Sequence, residues 1–120
     1  MSADKTKPLM IPVLVRAEIT PELLRDVAVE AIELAERVWE KKWGSPQNLG
    51  DASKTNITIL ATKLLDKMRR GASTEHLENT AVVALEAAQL ALGMKWGNPR
   101  NLGDERKTQI TIMAIRLLDF

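Results

Sequence analysis

The segment Lys42-Trp43-Gly44-Ser45-Pro46-Gln47-Asn48-Leu49-Gly50-Asp51 returns about 53 positions later as Lys95-Trp96-Gly97-Asn98-Pro99-Arg100-Asn101-Leu102-Gly103-Asp104. The correspondence continues: Lys54-Thr55, Ile57-Thr58-Ile59, Ala61 and Leu64-Leu65-Asp66 recur as Lys107-Thr108, Ile110-Thr111-Ile112, Ala114 and Leu117-Leu118-Asp119. Across Ala28 to Lys67 against Ala81 to Phe120, about 22 of 40 positions are identical without a gap. An internal duplication constrains the fold more than any local propensity does, because each unit must bury its apolar face against its neighbour.

Each unit reads as two helices around a loop. The first helix begins after Thr20, a suitable N-cap, with Pro21 at its first position and Glu22 where the helix dipole favours a carboxylate. Leu24, Val27, Ala28, Ala31, Leu34, Ala35 and Val38 follow the three-and-four spacing of one helix face. Lys41 and Lys42 then suit the last turn, and Gly44 suits the stop. The corresponding helix of the second unit spans Ser73 to Gly97. The second helix of each unit starts near Asp51 or Asp104, read as N-caps, and carries Ile57, Leu60, Ala61, Leu64, Leu65 and Met68 or their counterparts. The short link around Gly71-Ala72 makes neighbouring helices antiparallel. The expectation is an all-α, four-helix domain with pseudo-twofold symmetry: an extended arm over residues 1–19, one repeat over 20–71 and the other over 72–120.

Composition removes several alternatives. A chain of 120 residues is long enough for one core. The absence of cysteine excludes disulfides, thiolate metal sites and a thiol nucleophile, so stability rests on packing. No apolar run approaches the roughly 20 residues of a membrane span, and the N-terminus lacks the order of a signal peptide, so a cytoplasmic location is expected, or a virion if the protein is viral. A net charge of +1 does not describe a strongly nucleic-acid-seeking chain.

The arm, Met10-Ile11-Pro12-Val13-Leu14-Val15-Arg16-Ala17-Glu18-Ile19, is apolar, partly β-branched and belongs to neither repeat. It is read as an extended segment that packs on its own bundle or pairs with another subunit. Its run into Thr20-Pro21-Glu22-Leu23-Leu24 resembles the ribbon-helix-helix repressors, in which a strand precedes such a helix. That likeness covers the first quarter of the chain and would imply a DNA-binding regulator; the duplicated loop contradicts it.

The two repeats differ in a directed way. Glu30, Arg37 and Lys41 of the first correspond to Val83, Leu90 and Met94 of the second. With Ala87 these form a second apolar stripe beside that of Leu77, Ala81, Ala84, Leu85, Ala88 and Ala91, so the third helix is apolar nearly all round and needs cover on more than one side. In the last helix Ile115 and Phe120 replace Thr62 and Lys67. Val83, Ala87, Leu90, Met94, Ile115 and Phe120 are therefore the expected interface, covered by the arm or by another subunit.

Catalytic groupings are sparse. His76 is the only histidine and there is no tyrosine, so nucleophile-base pairs and soft-metal sites cannot be assembled. Glu30, Glu33, Glu36 and Glu40 form a solvated acidic face, with no Glu-x-x-Asp or Glu-x-x-His set to complete a metal site. Gly50-Asp51-Ala52-Ser53-Lys54-Thr55 lacks the frame of a phosphate-binding loop. No catalytic residue, metal or cofactor is expected.

One repeated arrangement suggests binding. Lys54 and Lys107 lie near helix starts, where the dipole disfavours a cation, yet both repeats keep them. Free backbone N–H groups, these ammonium groups and the Thr55 and Thr108 hydroxyls suit a phosphate, and Arg100 and Arg106 reinforce the second site. The bland alternative is that each lysine stem lies on its Trp or pairs with its Asp and locks the loop. Trp43 and Trp96 are read as anchors of the two loops. Together these readings give a self-assembling, non-enzymatic helical subunit that touches nucleic-acid phosphates without reading sequence. In architecture such a chain resembles the coat subunits of filamentous archaeal DNA viruses. An interaction adaptor or small regulatory subunit is the other reading.

Overall fold

A computed structural model describes residues 20–98 and 102–119. The expectations for the arm over residues 1–19, for Arg100 and for Phe120 lie outside the described residues. The described residues form four helices, α1 (Pro21–Trp43), α2 (Asp51–Arg69), α3 (Thr74–Trp96) and α4 (Asp104–Leu117), with a 3-10 turn at Pro46–Asn48 between α1 and α2. No strand occurs among the described residues.

The helix boundaries follow from local chemistry. Thr20 caps α1 by accepting the Leu23 N–H on its hydroxyl at 3.1 Å, and Ser73 does the same for α3 with the His76 N–H at 3.2 Å. Both long helices end on a glycine at positive φ, Gly44 at 92° and Gly97 at 96°, whose N–H groups bond the carbonyls of Glu40 and Gly93. With ψ near 180°, that conformation is almost confined to glycine. A Cβ at either position would meet no atom within 4 Å, so any penalty for adding one is purely one of the backbone. Gly44→Ala and Gly97→Ala are each expected to lose about 1 to 3 kcal/mol of stability, measured by denaturant unfolding.

The shorter helices correct one expectation. Asp51 and Asp104 are not N-caps but the first helical residues; Gly50 and Gly103 are the caps, extended at ψ 173° and 174°, with no side-chain cap bond. A glycine caps almost as well as an Asx residue, and each carboxylate still complements the helix dipole from the first turn.

Helices α1 and α2 form one antiparallel hairpin, and α3 and α4 the other. The hairpins meet along α2 against α4 and along α1 against α3. One core unites them, built on Leu34, Ala35, Val38 and Trp39 from α1, Leu60 and Leu64 from α2, Leu77, Ala81, Leu85 and Ala88 from α3, and Ile110, Ala114 and Leu118 from α4.

A twofold axis between the hairpins would bury equivalent residues, and that is not what is found. Leu77 and Leu85 are fully buried, while their counterparts Leu24 and Ile32 are 39% and 43% exposed. Conversely Leu34 and Val38 are buried, while their counterparts Ala87 and Ala91 are exposed. The contact at the helix starts is one-sided too: the Asp104 carboxylate lies 3.0 Å from where a Cβ on Gly50 would stand, and Gly103 has no neighbour within 4 Å. The expected pseudo-twofold symmetry is therefore absent. The second half of α1 lies on the first half of α3, as the Arg37 and Lys41 pairs to Glu78 (3.4 and 3.1 Å) and the Lys42 pair to Glu86 (3.6 Å) show.

Candidate functional site

Among the described residues, the most exposed large apolar side chains stand on α3. Val83 is 62% exposed, Leu90 70% and Met94 84%. With Thr80 and Ala87 they are spaced three, four, three and four residues apart, which aligns them along one line of a helix as in a coiled-coil seam. Isolated exposed apolar residues are ordinary, but a contiguous line of them marks an interaction surface. Small residues edge the line: Ala91 is exposed and Gly93 half-buried. Two shallow cavities extend it. One, of about 330 Å³, lies between α3 and the end of α4 and is lined by Thr80, Val83, Ala87 and Leu117. The other, of about 470 Å³, is lined by Glu86, Leu90, Gly93, Met94 and Gly97. The surface is a ridge of three large side chains with hollows beside it, a form suited to interdigitation with another helix.

Ile115, expected on the same surface, sits instead in the core at 6% exposure. The last helix turns that residue inward, where it packs with Ile110, Ala114 and Leu118. Of the expected interface residues, Val83, Ala87, Leu90 and Met94 share one face and Ile115 does not.

The two helix starts come together only in part. Lys54 and Thr55 are exposed, and Lys107 and Thr108 are half-buried. Neither lysine N–H is free, because each bonds the cap glycine's carbonyl, Lys54 to Gly50 at 3.0 Å and Lys107 to Gly103 at 3.1 Å. The Thr108 hydroxyl donates to the Asp104 carbonyl at 2.8 Å, the back-bonding usual for a helical threonine. Arg106 is exposed beside Trp96, Glu105 and Gln109. Asp51, Asp104 and Glu105 occupy the first turns of α2 and α4, so each dipole is already met by a carboxylate. The Asp104 carboxylate also leans towards the start of α2, the space a bound phosphate would require.

The tryptophans have become unlike. Trp43 is half-buried and packs edge-on against Trp39 with ring centroids 4.3 Å apart. Trp96 is 42% exposed, with the Lys95 ammonium 6.0 Å from its ring centroid. The position of Trp39 is held by Leu92 in the second repeat, and among the described residues no aromatic ring packs on Trp96.

No protein-family model, curated protein or solved structure matches this chain. Among the described residues no group of three or more His, Asp or Glu side chains is placed to hold a metal ion, and no helix is long and apolar enough to cross a membrane. Glu30, Glu33, Glu36 and Glu40 are all exposed to solvent on α1.

Sequence comparison of the repeats located the α3 stripe, because polar residues in one copy are apolar in the other. It missed the exposed half of α1, where Leu23, Leu24 and Ile32 are 36%, 39% and 43% exposed. The signal was absent because Leu24 and Ile32 match apolar residues in the second repeat, and periodicity cannot say which of two equivalent faces is covered.

Proposed function

We propose that this protein is a non-enzymatic assembly subunit that self-associates through α3. The observation that supports this reading is the line of Val83, Leu90 and Met94 on the surface at positions where the first repeat carries Glu30, Arg37 and Lys41. The first repeat's residues at these sites are soluble ones, so the fold itself does not require apolar side chains there. Leaving three large apolar groups in water forgoes about 1.5 to 3 kcal/mol each, and association with another surface recovers it.

Light scattering tests the reading. The wild-type chain is expected to exceed its monomer mass of 13.3 kDa at micromolar concentration, and Leu90→Glu with Met94→Glu is expected to return it to that mass. A wild-type chain that stays monomeric throughout would rule the proposal out.

Phosphate binding by the repeated helix starts is the less supported part of the sequence reading. Three carboxylates stand among Lys54, Arg106 and Lys107, and one of them lies beside the cap of α2. A structural role alongside nucleic acid, like that of a filamentous coat, requires a salt-dependent shift with generic duplex that is lost in Lys54→Glu with Lys107→Glu. An unchanged affinity leaves an assembly subunit or adaptor without a nucleic-acid role.

A further inference from the structure

We infer that copies of this chain join head to tail, the second half of α3 in one copy docking on the first half of α1 in the next, in the manner in which α1 docks on α3 within a single chain. The inference rests on the self-association proposed above and adds the partner surface and the symmetry.

The internal contact supplies the template. On α1, Leu34 and Val38 are buried and share a face with Arg37 and Lys41. That face meets α3 where Leu77, Ala81 and Leu85 are buried around Glu78, with Arg37 and Lys41 paired to Glu78 and Lys42 paired to Glu86. Each half of this contact has a counterpart in the other repeat, about 53 positions away, and both counterparts are uncovered. The docking face recurs on α3 as Ala87, Leu90, Ala91 and Met94, all exposed. The receiving face recurs on α1 as Leu24, Arg25, Ala28 and Ile32, exposed except for the half-buried Ala28. Each chain thus carries one unused copy of both halves of a contact it already makes.

Charge complementarity favours a second copy over an unrelated partner. The Lys42 to Glu86 pair maps onto Lys95 and Glu33, both exposed, so the same ion pair is available between chains. The Arg37 and Lys41 pairs to Glu78 map onto Leu90, Met94 and Arg25. The receiving position has changed from acidic to basic, and cations at 90 and 94 would face it with like charge. Apolar residues stand there instead and can lie along the aliphatic stem of Arg25. The substitutions that distinguish the repeats are therefore coordinated across the two faces.

Unlike faces make a heterologous contact, which repeats until it closes a ring or continues as a filament. A symmetric dimer through α3 alone would leave Leu24 and Ile32 without a role. The test uses two variants: Leu90→Glu with Met94→Glu, which blocks the docking face, and Leu24→Glu with Ile32→Glu, which blocks the receiving face. All four residues are exposed, and unchanged circular dichroism checks that each variant folds. Each variant alone is expected to be monomeric, and their mixture is expected to form a 1:1 dimer and stop there, since one good face of each kind remains. Because the chain lacks cysteine, Lys95→Cys in one preparation and Glu33→Cys in another offer a second readout. A short bis-maleimide is expected to link the mixture into dimers and to link neither preparation with itself by more than a few per cent.

If Leu24→Glu with Ile32→Glu still self-associates as well as the wild type, the head-to-tail arrangement is wrong and association through α3 survives. If the wild type is monomeric, both are wrong. If the singly blocked variants are monomeric and the mixture is too, the head-to-tail arrangement is also wrong.

Discussion

Leu85→Ala is expected to destabilise the fold by about 2 to 5 kcal/mol, and Ile32→Ala, at the equivalent position of the first repeat, by less than about 1 kcal/mol. Leu85 is wholly buried, so its truncation removes transfer free energy and leaves a cavity that the surrounding helices fill only in part. Ile32 is 43% exposed and lines a hollow open to water, so its truncation removes less buried surface. The measurement is denaturant unfolding of both variants in the Leu90→Glu with Met94→Glu background, so that association does not contribute. Leu77→Ala and Leu24→Ala should repeat the contrast, since Leu77 is 0% and Leu24 39% exposed. Equal losses at equivalent positions would mean that the two hairpins pack symmetrically, against the burial described above.

This contrast marks how far the sequence could be read. The four helices, their caps at Thr20 and Ser73 and their stops at Gly44 and Gly97 were legible, because hydroxyl caps, terminal lysines and glycines act locally. The second apolar stripe of α3 was legible from Glu30, Arg37 and Lys41 becoming Val83, Leu90 and Met94, but its exposure within a single chain was not, because an apolar stripe reads as a covered one. The stagger of the hairpins was not, since it depends on which of two nearly identical faces wins a partner, and Leu24 and Leu77 are the same residue. Ile115 was misplaced for a related reason: its counterpart Thr62 is exposed, but the unequal packing of α2 and α4 draws the later residue inward. The caps of α2 and α4 were misread by one residue, because Gly-Asp offers two adequate caps and side-chain chemistry does not choose between them.

Unequal repeats also bear on what kind of assembly the proposed self-association would give. A symmetric duplication satisfies itself and ends; one whose halves meet out of register retains an unsatisfied face of each kind. Within the chain, the contact is held partly by the pairs of Arg37 and Lys41 to Glu78, whose cations stay more than half exposed, and by the pair of Lys42 to Glu86, whose carboxylate does. Pairs that exposed contribute little to stability, which leaves the apolar residues beneath them as the main source of cohesion. The α3 stripe carries Ala87 and Ala91 where the internal contact buries Leu34 and Val38, and it carries Leu90 and Met94 where that contact carries charge. An interface between chains built on it should be less sensitive to salt than the ion pairs of the internal one suggest.

The wild-type chain is accordingly expected to unfold at higher temperature as its concentration rises, and Leu90→Glu with Met94→Glu to abolish that dependence. A partner that binds only the folded chain stabilises it by about 2.7 kcal/mol at a hundred times its dissociation constant, so the shift is measurable by calorimetry over a two-decade dilution. Withdrawing Leu90 and Met94 from water supplies about 3 to 6 kcal/mol, so losing both weakens association by about 10² to 10⁴-fold, before the charge of the new carboxylates is counted. Sulfate should strengthen this association, because its exclusion from protein surfaces favours apolar burial, while the single rim pair expected of Lys95 and Glu33 adds only a small screening loss. Phosphate contacts would respond in the opposite sense, falling steeply as salt rises. A concentration-dependent stability that disappears at high sulfate would mean that charge, not the apolar stripe of α3, holds the copies together.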